Sequence, residues 1–484
     1  MQFNWLHLTD LHRGMRQQQW MWPNVAEQLA EDLAHLRPQS GPWDLILFTG
    51  DLTDRGSAAQ FSEVDEVLAE IKSLIAKGQG GREPILLAVP GNHDLQRPSA
   101  DDAGLRELQG WAQDPAIQET LWTAPDSVVR RTIAAAFSDY GAWWARQVAI
   151  GKRQPNGILD YREGLLPGDF SATLVNAGGC RLGLLGLNTA FLQLTAGDYQ
   201  GRLGLHTRQF HAAAGGNGPA WAARHHACLL LTHHAPEWLD ADSRRHLDGE
   251  ITNNGRFALH LCGHRHVPRR EERAVDGNRA KRLVLGRSLF GLETFGDRQP
   301  EERLHGYAAG RIRLGGPGAG TIVLWPRSEE PAGAELRLDR DPHQGLPRGK
   351  EDSEPLVFHL AKPCGSSAAL SVAADEQTWD RQRLVLRDLL VALPAWSLVR
   401  ERKALVEFAL GAHPAAANLN WDDDGYTVAG NLVQRLQFFD AVPLDGRHAV
   451  CAILAEVRAR RMDSNREIGG MVRALADAFG CDAP

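Results

Sequence analysis

Residues 259–266 read LHLCGHRH, a short strand-like run that ends in Gly263 and then places His264 and His266 one residue apart. Such a pair by itself fits a polar strand end that meets solvent. Its meaning depends on whether other residues of the same chemistry fall at equivalent places along the chain.

They do. Short apolar runs at 3–9, 44–49, 84–89, 181–187, 227–232 and 257–262 are bounded by turn formers, as buried strands are. Between several of them lie segments with apolar residues at helical spacing, at 23–36 and 58–75, the latter carrying Val64, Leu68, Ile71 and Ile75. The first run leads into Asp10-Leu11-His12 and the second into GDLTDRG at 50–56. The third leads into GNHD at 91–94, and a later one into Thr232-His233-His234. In an open α/β sheet the carboxyl ends of strands converge on one crevice, so these residues can meet there. Carboxylate and imidazole donors without thiolate suit Mn, Fe or Zn, and a carboxylate can bridge two cations. Two metals about 3.5–4 Å apart hold a bridging hydroxide and polarise a phosphoryl group. The set reads as a binuclear phosphoester-hydrolysing site.

These five blocks, in this order, resemble the calcineurin-like metallophosphoesterases, whose motif runs D-x-H, GDxxD, GNH(D/E), a lone or paired His, and G-H-x-H. The resemblance extends over roughly residues 1–335, and five blocks in order, each after an expected strand, are far more specific than any one of them. Carried over by position, it implies two divalent or trivalent ions (Mn, Fe or Zn). Asp10, His12 and His266 would hold the first, and Asn92, His233 and His264 the second, with Asp51 bridging. It also implies that His93 is a general acid or phosphate contact, since an imidazole titrates near neutrality. Asp54 or Asp94 would orient that ring, with Asp54 preferred. Arg55 would contact the substrate phosphate or stay a solvated loop residue. Only one of His233 and His234 can face the crevice, because neighbouring strand residues point opposite ways; His233 is favoured. His7, His225, His226 and His260 are read as core or surface histidines.

The expected fold is α/β: a metallophosphoesterase-type layered β-sandwich flanked by helices, with an inserted helical cap and a C-terminal all-α bundle. The catalytic domain would span 1–338, with the cap at about 95–180 followed by an irregular stretch. A Pro- and Gly-rich linker would occupy 339–375, apart from one strand in PLVFHLA, and a helical interaction domain 376–484. Ser464 with Glu467 makes a capping-box pattern before the last helix, and Gly480 stops it. With 484 residues, 43% of them hydrophobic, the chain can bury more than one core. A net charge of −7 argues against coating nucleic acid or an anionic membrane, while leaving a local basic groove open. The run 265–282 is basic enough to guide a polyanion, or simply to form a solvated hairpin around Asp276-Gly277. Six scattered cysteines and the lack of a long apolar segment fit a soluble protein of the reducing cytoplasm, with no membrane partner.

GDxxDRG also occurs in the Ser/Thr protein phosphatases of this superfamily, but those normally carry GNHE. HLTDLH, GNHD and the paired histidine look more like bacterial phosphodiesterases acting on cyclic nucleotides or other small diesters. A phosphodiesterase with a phosphoester substrate, possibly a nucleotide, is the preferred reading. A phosphomonoesterase or protein phosphatase, or an adaptor with a silent metal site, is the alternative. The helical tail, with LLVALPAW, NLVQRLQFFDAV and EIGGMVRALADAF, is similar to effector-associated, death-like adaptor domains of bacterial conflict and signalling systems. That similarity implies a protein partner bound through 376–484.

Overall fold

A computed structural model describes residues 2–15, 18–154, 157–176, 179–265, 269–273, 280–294, 301–303, 305–316, 319–332, 335–344, 346–347, 349–359, 376–411, 415–416, 419–438, 448–460, 462–479 and 481. The chain divides into two compact units, Met1–Cys364 and Gly365–Pro484.

The first unit opens with β1 (Gln2–Leu8), α1 (Gln18–Ser40), β2 (Leu45–Phe48), α2 (Ala58–Lys77) and β3 (Ile85–Ala88). Strands β2 and β3 form where four apolar residues run together and every one of them is buried, while β1 (QFNWLHL) mixes in Asn4 and His7, both buried. Helix α2 shows the local logic. Ser57 caps it by accepting from the Gln60 amide, and Val64, Leu68, Ile71 and Ile75 form its buried stripe. The inserted helices follow: α3 (Ala103–Leu108), α4 (Pro115–Thr123), α5 (Val128–Ala136) and α6 (Ser138–Arg153). Helix α6 packs on α2, where Trp143 stacks on Phe61 and donates its indole N–H to Asp65 at 2.7 Å.

The stretch after α6, expected to be irregular, instead supplies β4 (Asp160–Glu163) and β5 (Phe170–Val175), which lead to β6 (Arg181–Gly186). Next come α7 (Thr207–Ala213), α8 (Gly218–Ala223), β7 (Ala227–Leu231), α9 (Ala241–His246), β8 (Leu259–Cys262), β9 (Arg269–Arg273) and β10 (Lys281–Leu285). The Asp276-Gly277 turn lies outside the described residues, but β9 and β10 pair antiparallel on either side of it. The unit ends with β11 (Leu292–Thr294), β12 (Glu301–Arg303), β13 (Gly306–Gly316), β14 (Ala319–Ala332), β15 (Glu335–Arg340) and β16 (Leu356–His359).

Two seven-stranded sheets result. The first runs β15-β14-β13-β1-β2-β3 with β16 on β14, and the second β4-β5-β6-β7-β8-β10-β9. One apolar core extends over residues of both sheets and their helices, as a layered α/β sandwich requires. Residues 339–344 and 349–354, read from composition as linker, belong to this body, as does the strand expected in PLVFHLA. Asp341 is buried against Arg287, and β16 pairs with β14. Polar composition misleads there because key charges are paired against the fold, Asp341 with Arg287 and Glu351 with Arg327.

The second unit holds α10 (Glu376–Ala392), α11 (Val399–Leu410), α12 (Gly425–Phe438), α13 (Ala449–Ala459) and α14 (Arg466–Ala478) around its own core, which includes Leu386, Leu390, Leu432 and Leu475. The last helix is capped by Asn465, which accepts from the Glu467 amide, rather than by Ser464. Gly480 lies outside the described residues. Cys451 and Cys481 form a disulfide with Cα atoms 5.1 Å apart, which corrects the expectation of a fully reduced set; Cys180, Cys228 and Cys262 are buried thiols. Among the described residues no helix is long and apolar enough to cross a membrane.

Helix α1 is fixed to the first sheet by a buried ion pair. Asp32 is bonded by the guanidinium of Arg327 on β14, with Arg327 Nε at 2.9 Å, and by the Tyr307 hydroxyl at 2.7 Å. Replacing Asp32 by Ala leaves the buried Arg327 guanidinium with only the partly exposed Glu351, 3.1 Å from Nη1, as its carboxylate partner among the described residues. The first unit should then lose about 3–5 kcal/mol, read as a lower denaturant midpoint; an unchanged midpoint would show that the pair is not structural.

Candidate metal centre

Beyond the ends of β1 and β2 the chain keeps pairing in register. The Asp10 amide donates to the Gly50 carbonyl at 3.0 Å, His12 to Asp51 at 3.0 Å and Arg13 to Leu52 at 2.9 Å. Within this paired run Asp10, His12 and Asp51 adopt positive φ (52°, 49° and 55°), as does His264 (74°) in the loop after β8. These four are the non-glycine residues with positive φ among those described. A side chain in that region costs about 1–3 kcal/mol, and such residues gather where function demands it. Glycine is required at two neighbouring points. A Cβ on Gly91 would lie 2.1 Å from Asp51 Oδ1, and one on Gly50, which has φ +94°, 2.5 Å from His233 Nδ1.

The buried Asp51 carboxylate lies at the middle. One oxygen accepts the His93 amide at 2.8 Å and the other is 3.2 Å from His233 Nε2. That nitrogen is also 3.1 Å from Asn92 Oδ1 and 3.2 Å from His264 Nδ1. Because His233 Nδ1–H must donate to the Thr49 carbonyl at 2.7 Å, the neutral ring presents a lone pair at Nε2. A lone pair facing a carboxylate and an amide oxygen calls for a positive charge between them. Burial opposes protonation of His233, yet the Asp51 carboxylate outweighs it and lifts the pKa to about 9. Burial likewise works against the Asp51 carboxylate, but His233 and His93 hold its pKa well below the usual range.

An ion bound at about 2.1 Å separates adjacent donors by about 3.0 Å in octahedral and 3.4 Å in tetrahedral geometry. The observed 3.1–3.2 Å separations fit such an ion. Donor atoms of Asp10, Asp51 and His233 lie within 4.8 Å of one another, as do those of His12, Asp51 and His93. Thr9 Oγ1 and the His264 amide donate to Asp10 Oδ2, at 2.6 and 3.1 Å, which orients that carboxylate. His266 lies outside the described residues.

The other expected site residues separate clearly. His93 Nδ1–H donates to the backbone carbonyl of Asp54 at 2.9 Å, while the Asp54 carboxylate is 4.0 Å away. Asp54 therefore orients the ring through its main chain. Asp94 is fully buried, accepting from the amides of Leu52, Thr53 and Gly91 and from the Thr53 hydroxyl, so it fastens the GDLTD loop to the GNHD loop. Burial, then the nearby Asp51 charge, raise its pKa to about 6. The Arg55 side chain is 84% exposed and bonds its neighbour Asp54. His234 uses both ring nitrogens elsewhere, on Thr189 Oγ1 and Gln193 Oε1, each at 3.0 Å. His7, His225 and His260 bond to Thr49, Thr173 and Thr232 as core histidines. Sequence reading missed Thr9, Thr49, Thr189, Gln193 and Trp238, whose ring lies edge-to-face on His264 at 4.1 Å. Only Thr9 and Thr49 carried a signal, as the last strand residues before a motif.

Residues 3–268 match the family model described as calcineurin-like phosphoesterase, and residues 379–477 match effector-associated domain 8. No curated protein matches the chain. Among solved structures it is similar to GAP50, the anchor in the inner membrane complex of Plasmodium (10% identity, TM-score 0.35, covering 75% of this chain and 90% of that one). It is also similar to the purple acid phosphatase PPD1 of yellow lupin (11%, 0.37, covering 68% and 52%). A third is a conserved protein of Streptococcus pneumoniae described as a predicted phosphoesterase (10%, 0.22, covering 70% and 97%).

Replacing Asp94 by Asn turns an amide donor toward at least one backbone N–H that now meets a carboxylate. The substitution should cost about 1–3 kcal/mol in denaturant unfolding and weaken metal uptake measured by titration. Unchanged stability together with unchanged uptake would rule out the fastening role.

Proposed function

The chain belongs to the calcineurin-like phosphoesterase family, and on that premise we propose that it is a dinuclear metal-dependent phosphodiesterase, recruited to a signalling complex by its helical unit. The observation that carries the reading is the convergence of Asp51, Asn92 and His264 donor atoms on His233 Nε2 at 3.1–3.2 Å, the spacing that ligands of one shared cation adopt. Asp10, His12 and His266 would hold one ion, Asn92, His233 and His264 the other, with Asp51 between them. When bound, such ions supply a nucleophile from water at neutral pH and neutralise charge growing on the phosphoryl oxygens.

The protein's own groups do the rest. The Asp54 carbonyl fixes His93 by Nδ1 and leaves Nε2 to hold a proton for the leaving oxygen. The His12 ring, 4.8 Å from His93 and nearly perpendicular to it, confines its swing. Asp94 keeps the loops bearing Asp51 and His93 at a fixed separation.

Charge supports a diester over a monoester. A dianionic monoester gains most from an arginine fork held at the metals, but among the described motif loops Arg13 pairs with Glu63, Arg265 lies 3.5 Å from Glu237, and Arg55, 84% exposed, runs into solvent beside Asp54. A singly charged diester needs less compensation. The effector-associated match supports a protein partner for the second unit, because that unit carries its own core and shows no candidate metal group among its described residues.

Metal-stripped protein reloaded with Mn, Fe or Zn should turn over a chromogenic diester faster than the matching monoester, and Asp51→Asn should abolish turnover. His93→Ala should lower kcat by about 10²–10⁴ with metal content retained, and the loss should be larger for an alkyl than a nitrophenyl leaving group, which needs no proton. Monoester preference would sink the diesterase assignment, and equal losses for both leaving groups would remove His93 as the acid.

A further inference from the structure

On the outer face of the second sheet, beside the metal centre, lies a cavity of about 280 Å³ that the hydrolytic mechanism does not use. We propose that it binds the nucleotide next to the scissile linkage of a single-stranded oligonucleotide. This deepens the phosphodiesterase reading and rests on it for the cutting step.

Strand register assigns the walls. Arg273 pairs with Lys281, Glu271 with Leu283 and Arg269 with Leu285, so these side chains share one face of the β9–β10 hairpin. Leu283 also pairs with His260 on β8, which puts the imidazole on that same face. Arg282 also borders the cavity, but its guanidinium is held by Glu272 and the Val357 carbonyl of the opposite sheet. Buried Leu247, Phe257 and Leu283 give the cavity an apolar floor. At its rim Lys281 is paired with Asp248, and Arg269 with Glu237 and Glu271. Arg244 and Arg273 also line the cavity, are exposed, and make no ion pair among the described residues. An apolar floor of this size under two uncommitted guanidinium groups suits a base with its flanking phosphates.

The cavity is joined to the metals by the turn at 236–238. Glu237 lines it and accepts from Arg269 at 2.9 Å, while Arg265 of the GHRH motif approaches the same carboxylate at 3.5 Å. The adjoining Trp238 packs on His264 from the other side. Strand β9 is the edge of its sheet, so no further strand of that sheet pairs beyond it. The overall charge of −7 does not oppose this, because the contact is local and screened beyond about 8–10 Å.

The test uses the full chain and a labelled single-stranded deoxyoligonucleotide. With metal-stripped protein, which leaves the strand uncut, anisotropy gives Kd against salt. Arg244→Ala and Arg273→Ala should each flatten the log–log salt slope by about 0.7, and an abasic strand of equal charge should bind several-fold more weakly. With reloaded protein, the ratio of kcat/KM for the oligonucleotide to that for a small chromogenic diester should fall at least tenfold in the double variant. An unchanged slope and ratio, while the small diester is still hydrolysed, overturns the cavity and leaves the phosphodiesterase reading intact. A flattened slope in a protein that hydrolyses neither substrate supports the cavity and overturns the cutting step.

Discussion

Lone pairs packed against lone pairs are the constraint around which this site is built. The buried Asp51 carboxylate, the Asn92 amide oxygen and His233 Nε2 meet the half-buried His264 Nδ1 in a small space, where water can do little to separate them. Their repulsion must be relieved by positive charge, and the backbone accepts strain to bring them there. Four residues in left-handed conformations, at about 1–3 kcal/mol each, represent a sizeable fraction of a domain's net stability. The surrounding sandwich makes that tolerable, since its core holds β1, β2 and β3 rigidly enough for the loops beyond them to stay in register.

What could be read in the sequence follows from how narrow each chemical requirement is. Metal donors must be particular residue types just past strand ends, so the blocks at 10–12, 50–56, 91–94 and 232–234, with Gly263 and His264, could be marked as candidates from sequence. Orientation could not. His233 and His234 differ by which side of a strand end they leave, and the difference is decided by Thr189 and Gln193, over forty positions away in sequence. Asp54 and Asp94 both looked able to steer His93. A side-chain reading could not reveal that a carbonyl does it, nor that Asp94 collects three amides from two loops. Arg55 fits the motif by residue type, yet its side chain runs into solvent. The pairing of Cys451 with Cys481 was hidden for a similar reason: it depends on long-range approach and leaves no local spacing signal.

The helical unit shows the reverse balance. Its helices could be placed from apolar spacing because each buries one stripe against a shared core, and local periodicity is enough to specify that. Detail failed only at single residues. Ser464 and Asn465 are both good caps, and the choice between them depends on which residue adopts the extended conformation at the helix entrance.

One feature of the metal centre bears on how the sequence can drift. The ring of His93 is steered by the carbonyl of residue 54 and that of His233 by the carbonyl of residue 49. A carbonyl is common to every amino acid, so the steering of His93 is indifferent to which side chain position 54 carries. Proline is the exception, because the amide there donates to Arg13 at 2.9 Å. Relatives may thus exchange the residue at 54 freely while keeping the same acid in the same place, and variation at that position is weak evidence of altered chemistry.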